Sequence, residues 1–371
     1  MKIFKYLSCI GIFSVVMWTS CSDAEKADPE GNGKEPQVPE QTVAFVKGAD
    51  ISWVTEMEDD GVKFYDSKGK EKDCFLLMKE VGMNAIRLRV WVNPENGYGD
   101  YCNQKDVVAK AVRARDAGMD VMVDFHYSDF FADPGRQTMP AEWAGKPMAE
   151  LRSAVADHTK SVLNALKTSG VTPKWVQVGN ETRNGMMWSS GQLWTGSGDI
   201  ADGWNNYAGL SNAGYDAVKA VFPDAIVIVH QNNAWEDLDW WFRKFKAAGG
   251  KFDMIGLSHY PQVEQDKTWI TVNQLALSHI KSLGDTYGCK VMICETGVKT
   301  YMNEGTAASV LAEFMTEARK LDQCAGVFYW EPQTDGSWKP SHYETLKWNA
   351  YDMGAFSKDG RPTSVLDCFK D

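Results

Sequence analysis

Short apolar runs alternate with longer amphipathic stretches along most of the chain, and no other feature constrains the fold as strongly. Eight of these runs are rich in Val, Ile, Phe and Trp, which is typical of β-strands. They cover residues 46–54, 83–92, 120–128, 174–181, 225–233, 253–261, 290–297 and 326–332. Helix-like segments lie between them, among them 106–118, 157–170, 207–222 and 308–321. Strands that alternate with helices predict a parallel sheet, and eight strands are the number that closes a barrel.

The predicted fold class is therefore α/β, a (β/α)8 TIM barrel that forms a single catalytic domain over residues 43–371. A chain of 371 residues is long enough for such a barrel. The alternative is a doubly wound open sheet. That fold normally carries a Gly-rich phosphate loop after its first strand, and GADISW at 48–53 is not such a loop.

The N-terminus has the pattern of an export signal. Residues 1–20 contain two lysines and then an apolar stretch that is short for a membrane span, which predicts a secretory signal. The small residues before Cys21 resemble a bacterial lipoprotein signal and predict lipidation of Cys21, with plain cleavage as the alternative. Residues 21–42 are rich in Pro, Gly, Glu and Lys and predict a flexible tether. We expect an exported, lipid-anchored protein at the cell surface or outer membrane, with the anchor as its contact with the membrane.

Charge and composition indicate which classes of partner the protein could bind. A net charge of -11 argues against nucleic acid, whose phosphates require basic patches. The 15 tryptophans suit either a large core or flat platforms for sugar rings. Candidate platforms outside the predicted site are Trp91, Trp188, Trp194, Trp235 and Trp338.

The cysteines outside the export signal show no CxxC or zinc-finger spacing, so we expect no zinc site of that kind. Export would permit disulfides. A bridge between Cys289 and Cys324 and buried free thiols both remain open, and we favour the thiols.

Polar or aromatic side chains follow nearly every predicted strand, where a barrel carries its active site. These strand-end residues are Asp50, Ser52, Arg87, Arg89, His126, Asn180, Glu181, His230, Asn232, His259, Tyr260, Glu295, Trp330 and Glu331. The strand starts, by contrast, are plain and apolar. This asymmetry predicts an active site at the carboxyl ends of the strands.

Two carboxylates follow apolar strands directly: Glu181 after WVQVGN and Glu295 after KVMIC. Glycosidic cleavage requires such a pair, one to protonate the leaving oxygen and one to attack or stabilise the anomeric carbon. The fourth and seventh strands lie across the barrel mouth from each other, so the carboxyls could face each other at about 5 Å, as in retaining enzymes. Taken singly, either glutamate has a plainer interpretation as a salt-bridge partner of Arg87 or Arg89.

The sequence resembles glycoside hydrolase family 53, the endo-β-1,4-galactanases of the retaining clan A barrels. The matching stretches include GADISWV, NAIRLRVWVNP, VDFHYSDFFADPGRQ, VQVGNETRNGMMW, IGLSHYP, CETG and GVFYWEP. The resemblance implies endo-acting, retaining cleavage of β-1,4-galactosidic linkages in galactan and type I arabinogalactan side chains of pectin, without a cofactor or a metal.

The resemblance also implies roles for individual residues. It makes Glu181 the acid/base and Glu295 the nucleophile, with Asn180 holding the sugar 2-hydroxyl. Arg87 or Arg89 would orient the nucleophile and keep its pKa low; the two arginines have the same strand parity, so the sequence does not choose between them.

Three further residues complete the implied site, which departs from the family in three places. Tyr260 would donate to the nucleophile, His126 would line the site, and Trp330 would form the floor beneath the sugar. Phe131 stands where Trp is expected, and His259 where Tyr is usual. The segment after the nucleophile is short and lacks an Asp-rich run, so we predict no calcium there.

Three alternatives remain. His126, His230 and His259 follow three different strands, and imidazoles that converge there would suit a metal-dependent hydrolase. A non-catalytic glycan-binding lipoprotein would also suit the tether and the tryptophans. Another clan A enzyme, a mannanase or a cellulase, would share the catalytic residues, because loops determine substrate choice.

Overall fold

The computed structural model describes residues 44–94, 99–261, 267–299 and 303–370. The predicted signal, Cys21 and the whole predicted tether, residues 21–42, lie outside these ranges. Residues from Val43 onward belong to one compact unit. No helix in the described ranges is long and apolar enough to cross a membrane.

Eight parallel strands close into a barrel, each paired with its two neighbours, and β8 pairs with β1. The strands are β1 Val46–Asp50, β2 Ala85–Val90, β3 Asp120–Phe125, β4 Trp175–Val178, β5 Ile226–Gln231, β6 Met254–His259, β7 Val291–Thr296 and β8 Cys324–Trp330. Seven fall within the predicted runs, and β8 begins two residues before its run of 326–332. The (β/α)8 barrel prediction is therefore confirmed.

The barrel strands are separated by helices on the outside. The helices are α1 Val54–Asp59, α2 Cys74–Glu80, α3 Gln104–Asp116, α4 Met148–Thr168, α5 Gly203–Val221, α6 Asp239–Ala247, α7 Trp269–Tyr287, α8 Glu304–Ala318 and α9 Ser341–Leu346. Side-chain caps explain where several begin: the Asn103 side chain accepts from the Asp106 N–H in the first turn of α3, and Asn303 accepts from the Thr306 N–H in α8.

An apolar plug fills the lower barrel. Its inward-facing members are Val46, Ala85, Met122, Trp175, Ile228, Met254, Met292, Cys294 and Phe328. Gly48 makes room for Phe328, since a Cβ at position 48 would lie 2.2 Å from its ring.

A polar layer lies directly above this plug. Strand side chains alternate between faces, so the next inward position is two residues further along each strand. On β1 to β5 those positions carry Asp50, Arg87, Asp124, Gln177 and His230, all buried. The inward-facing side chains therefore change along these strands from apolar in the lower barrel to polar beneath the site.

A register shift on β7 places Glu295 in this layer. Cys294 belongs to the apolar plug, so strict alternation would turn Glu295 outward with Ile293. The pairing with β6 instead runs from Leu257 opposite Ile293 to Ser258 opposite Glu295, which leaves one extra residue in β7. This bulge re-aims the carboxylate into the barrel mouth.

None of the six cysteines in the described ranges is bonded to another of them: Cys74, Cys102, Cys289, Cys294, Cys324 and Cys368. The Cys289–Cys324 bridge is not formed in this structure, which agrees with the thiol alternative. Cys294 packs inside the barrel as an ordinary apolar side chain.

Candidate active site

A cavity of about 250 Å³ opens at the carboxyl ends of the strands. Six predicted site residues line it: His126, Asn180, Glu181, Tyr260, Glu295 and Trp330. The remaining lining residues are Phe131, Ala132, Asp133, Tyr343, Trp348, Tyr351 and Met353. The cavity therefore brings the two carboxylates together with polar groups and aromatic walls.

Both oxygens of Glu295 are held. Arg87 Nη2 lies 2.9 Å from Oε1, and the Tyr260 hydroxyl donates to Oε2 at 3.0 Å. Glu295 itself is 6% exposed. A carboxylate fixed at both oxygens has one orientation, as a nucleophile that must meet a particular carbon atom requires.

Arg87 is the centre of the polar layer. It donates to Asp50 and to Asp124 at 2.8 Å each, and to Asn180 Oδ1 at 2.9 Å. Three carboxylates, counting Glu295, thus share one buried guanidinium. Of the two arginines that the sequence left undecided, Arg87 is the one that contacts Glu295.

Arg89 has a different environment. Its guanidinium pairs with Glu331 and lies 4.8 Å from the Phe131 ring centre and 5.9 Å from that of Trp330. Neither Arg87 nor Arg89 is among the described residues that line the cavity. Arg87 thus holds Glu295 from behind the cavity, and Arg89 lies next to the Phe131 and Trp330 rings.

Glu181 follows β4 with unusual backbone geometry. Its φ is 46°, in the left-handed region, which costs a residue with a side chain about 1 kcal/mol. The adjacent Asn180 is anchored by its donation to Ala132 O at 2.8 Å. The Ser258 hydroxyl, 2.6 Å away, donates to Glu181 Oε1. These anchors hold the carboxyl in the half-buried position from which it reaches the cavity.

Burial raises the pKa of both carboxyls. The pKa of Glu181 rises to about 8, because burial and the Glu295 charge both disfavour its ionised form. Burial raises the pKa of Glu295 to about 7, although Arg87 lowers it. Arg87 lowers this pKa, in the direction expected of an arginine beside the nucleophile, and burial acts in the opposite direction. Arg87 favours the ionised form of Glu295, whereas the charge of Glu295 disfavours ionisation of Glu181. The surroundings therefore suit Glu295 as the nucleophile and Glu181 as the acid.

The histidines do not converge. His126 lines the cavity, but its Nδ1 accepts from the Ala132 N–H and its Nε2 contacts Asp124, both at 2.9 Å. His259 lies on the helix side of the barrel, with Nε2 2.8 Å from Asn273 Oδ1 and its ring 4.2 Å from that of Phe314. The metal-site alternative needed these imidazoles to face one point, and their placement rules that arrangement out.

Trp330 lines the cavity. Its ring is half-buried, borders the cavity, and packs edge-on against Trp53 at 5.0 Å and Tyr351 at 4.6 Å. Phe131 keeps an aromatic wall beside it.

The further platform candidates are less well placed. Trp91 is 1% exposed and belongs to the core, so the suggestion that it stacks against sugar is wrong. The other four are half-buried, and none borders this cavity: Trp188, Trp194, Trp235 and Trp338.

The strand-end interpretation missed several contributors. Asp124, Gln177 and Ser258 are buried in the polar layer, and their signal was a polar residue at an inward position within an apolar strand. Tyr343 and Tyr351 come from the segment after β8, which has no strand pattern to mark it.

Comparison with known proteins identifies the family of the chain. The model of glycosyl hydrolase family 53 matches residues 46–369. An arabinogalactan endo-beta-1,4-galactanase of Cellvibrio japonicus is 33% identical, over 88% of this chain and 89% of its own length. An endo-beta-1,4-galactanase of Bacillus subtilis is 30% identical, over 92% and 85%. The solved family 53 catalytic domain from Ignisphaera aggregans superposes with a TM-score of 0.75 at 27% identity, covering 90% of this chain and 97% of that one. The chain belongs to glycosyl hydrolase family 53.

Proposed function

We propose that this protein is an endo-acting, retaining β-galactanase that cleaves β-1,4-galactosidic linkages in galactan and in the type I arabinogalactan side chains of pectin. The observation that carries the proposal is the pair Glu181 and Glu295, which share one cavity but have different hydrogen-bond partners. The substrate follows from the named activities of the relatives above.

The reaction proceeds by double displacement. Glu295 attacks the anomeric carbon while Glu181 gives its proton to the departing glycosidic oxygen, which leaves a covalent galactosyl–enzyme ester. Glu181, now ionised, takes a proton from water, and the water oxygen displaces Glu295 from the sugar. Acid, nucleophile and water complete the chemistry.

The neighbours position these groups. Arg87 and Tyr260 fix the nucleophile. Asn180 donates one amide hydrogen to Ala132 O, which leaves its second N–H for the sugar 2-hydroxyl. That hydrogen bond strengthens as the oxocarbenium ion forms. The face of Trp330 supports the apolar side of the sugar in the cleavage subsite.

A polysaccharide panel tests the substrate. Reducing-end release with product sizing should give mixed short oligosaccharides from β-1,4-galactan and arabinogalactan. Activity on mannan or glucan instead would overturn the substrate and favour another clan A enzyme. Absence of activity on every polysaccharide of the panel would favour a glycan-binding protein. Proton NMR of the first-formed anomer tests retention, and an α-anomer as the initial product would contradict it.

The pH profile follows from the two carboxyls. Glu295 must be ionised, so kcat/KM falls as the pH drops through its raised pKa, about 7. Glu181 must be protonated, so kcat/KM falls as the pH rises through its pKa, about 8. We expect a bell-shaped dependence of kcat/KM on pH with its maximum near neutral pH, measured on soluble galactan at constant ionic strength. A maximum near pH 4 would contradict this assignment.

We also propose that residues 1–20 direct export, that Cys21 carries lipid, and that residues 21–42 tether the catalytic domain 43–371 to the cell surface or outer membrane. Supporting this are the small residues before Cys21 and the Pro- and Gly-rich stretch after it. Cys21→Ala should move the enzyme from the detergent phase to the aqueous phase in Triton X-114 partitioning, with galactanase activity unchanged. A wild-type protein already in the aqueous phase would indicate plain cleavage.

A further inference from the structure

Two side chains, Ser258 and His230, connect to Glu181 through consecutive hydrogen bonds. The Ser258 hydroxyl is 2.6 Å from Glu181 Oε1 and 2.9 Å from His230 Nε2. Both side chains are buried and face into the barrel, Ser258 near the carboxyl end of β6 and His230 near the carboxyl end of β5. The direction in which these hydrogen bonds run depends on which His230 nitrogen carries the proton.

Two neighbouring amides have fixed orientations. Gln177 Oε1 accepts from Arg87 Nε at 3.2 Å, and its Nε2 donates to Asp124 at 2.5 Å. Asn180 Oδ1 accepts from Arg87 Nη2 at 2.9 Å, and its Nδ2 donates to Ala132 O at 2.8 Å. Guanidinium groups only donate, while ionised carboxylates and carbonyls only accept. Neither amide can therefore be flipped.

This orientation determines the tautomer of His230. Its Nδ1 faces two donors, Gln177 Nε2 at 2.9 Å and the Glu181 backbone N–H at 3.4 Å. One Gln177 Nε2 hydrogen goes to Asp124, so its second hydrogen is the one available to His230 Nδ1. Asn180 Oδ1, 3.0 Å from Nδ1, accepts from Arg87 Nη2, and the direction of the Glu181 backbone N–H towards Nδ1 is fixed by the main chain. Burial lowers the pKa of His230 well below its ordinary value, so the ring is neutral. Nδ1 is therefore the acceptor, and the single ring proton on Nε2 points to Ser258.

We propose that Ser258 and His230 are positioning residues for the acid/base: a one-way chain from His230 Nε2–H through the Ser258 hydroxyl to Glu181 keeps Oε1 an acceptor and so places the transferable proton on Oε2. The inference rests on the proposed role of Glu181. Ser258 receives the imidazole N–H and must direct its own hydrogen to the carboxyl. An oxygen that accepts this hydrogen bond in both steps does not hold the acid proton.

The chain also stabilises the carboxylate that forms when Glu181 gives up its proton. The Ser258 hydrogen bond favours the ionised form, whereas burial, Glu295 on β7 and Asp133 in the loop after β3 disfavour it. Arg87 on β2 acts in the same direction as Ser258. The other titratable groups nearby are Tyr260, the neutral His230, His126, Tyr343 and Tyr351. Removal of the hydroxyl should therefore raise the pKa of Glu181.

The test is the pH profile of Ser258→Ala on galactan. We expect the alkaline limb of kcat/KM to move up by about one pH unit and kcat to fall by about tenfold, because a hydrogen bond to a charged group is lost. Ser211→Ala is the matched control, since Ser211 is a buried serine on the outer helix α5. An alkaline limb that does not move in a folded Ser258→Ala protein overturns the inference.

A second measurement does not depend on the catalytic activity of any variant. Long-range ¹H–¹⁵N NMR of the wild-type protein reports the tautomer of each imidazole, and the spectrum of His230→Gln assigns the resonance. We expect the His230 proton on Nε2 throughout the active pH range. A proton on Nδ1 would reverse the chain and overturn the inference.

The Glu181→Gln variant separates failure of this inference from failure of the proposed function. If Glu181 is the acid, its replacement removes the alkaline limb. A limb that persists in Glu181→Gln contradicts the acid/base role itself. A limb that disappears in Glu181→Gln but stays in place in Ser258→Ala contradicts only the positioning chain.

Discussion

Glu295→Gln should lower kcat on β-1,4-galactan on the order of 10⁴- to 10⁶-fold while leaving polysaccharide binding nearly unchanged. The amide has almost the same shape as the carboxylate, so the cavity keeps its form. It has no negative charge to attack the anomeric carbon, and no ester forms. The buried Arg87 still has Asp50 and Asp124 at 2.8 Å, so the polar layer retains its charge balance.

The measurement is turnover on galactan, with binding followed by affinity electrophoresis in a galactan gel. Glu331→Gln is the matched control, because Glu331 is a buried glutamate at the end of β8 that pairs with Arg89 outside the cavity. We expect its activity loss to be far smaller, with a lower melting temperature. Retained turnover in Glu295→Gln would contradict the nucleophile assignment. If the wild-type protein binds galactan but does not cleave it, the binding-protein alternative is favoured.

Glu181→Ala should reduce galactan cleavage by about 10²- to 10⁴-fold and spare the first bond-breaking step on a 2,4-dinitrophenyl β-galactoside. A sugar alkoxide leaves poorly without a proton, whereas dinitrophenolate leaves without one. The second step still needs a base, so the covalent intermediate should accumulate and give a burst of dinitrophenol. Azide should restore turnover, because a small anion can enter the space left by the carboxyl and attack without general-base help.

The measurement is pre-steady-state release of dinitrophenol, with product identification after azide addition. A β-galactosyl azide from Glu181→Ala places the azide on the acid/base side, since the intermediate was already inverted once. An α-galactosyl azide is expected instead from Glu295→Ala. Equal losses on galactan and on the activated substrate would contradict the acid/base role of Glu181.

Local pattern was sufficient for the barrel and for six of the residues that line the cavity. Eight β-rich runs at regular intervals, separated by amphipathic helices, leave few ways to bury both faces of the strands. Residues that directly follow those runs meet at one rim, which is why Asn180, Glu181, Tyr260, Glu295 and Trp330 were found together. The family resemblance supplied their roles, which the geometry accommodates.

Tertiary structure decided between residues that look alike in the sequence. Arg87 and Arg89 have the same strand parity, but only Arg87 contacts Glu295. Glu295 and Glu331 both end apolar strands, but Glu331 is neutralised by Arg89 and accepts from the Trp53 N–H. These choices depend on partners from distant parts of the chain, which local spacing does not encode.

The orientation of Glu295 is the clearest case. Its alternation along β7 predicts an outward side chain, and the bulge opposite Ser258 turns it inward. The pKa of Glu295 likewise depends on how completely the closed barrel removes water from a carboxyl that already has an arginine beside it. Sequence by itself determined the periodic structure and the residues at the rim. Register between neighbouring strands, and burial within the closed barrel, determined which of those residues face the substrate and in which state of ionisation.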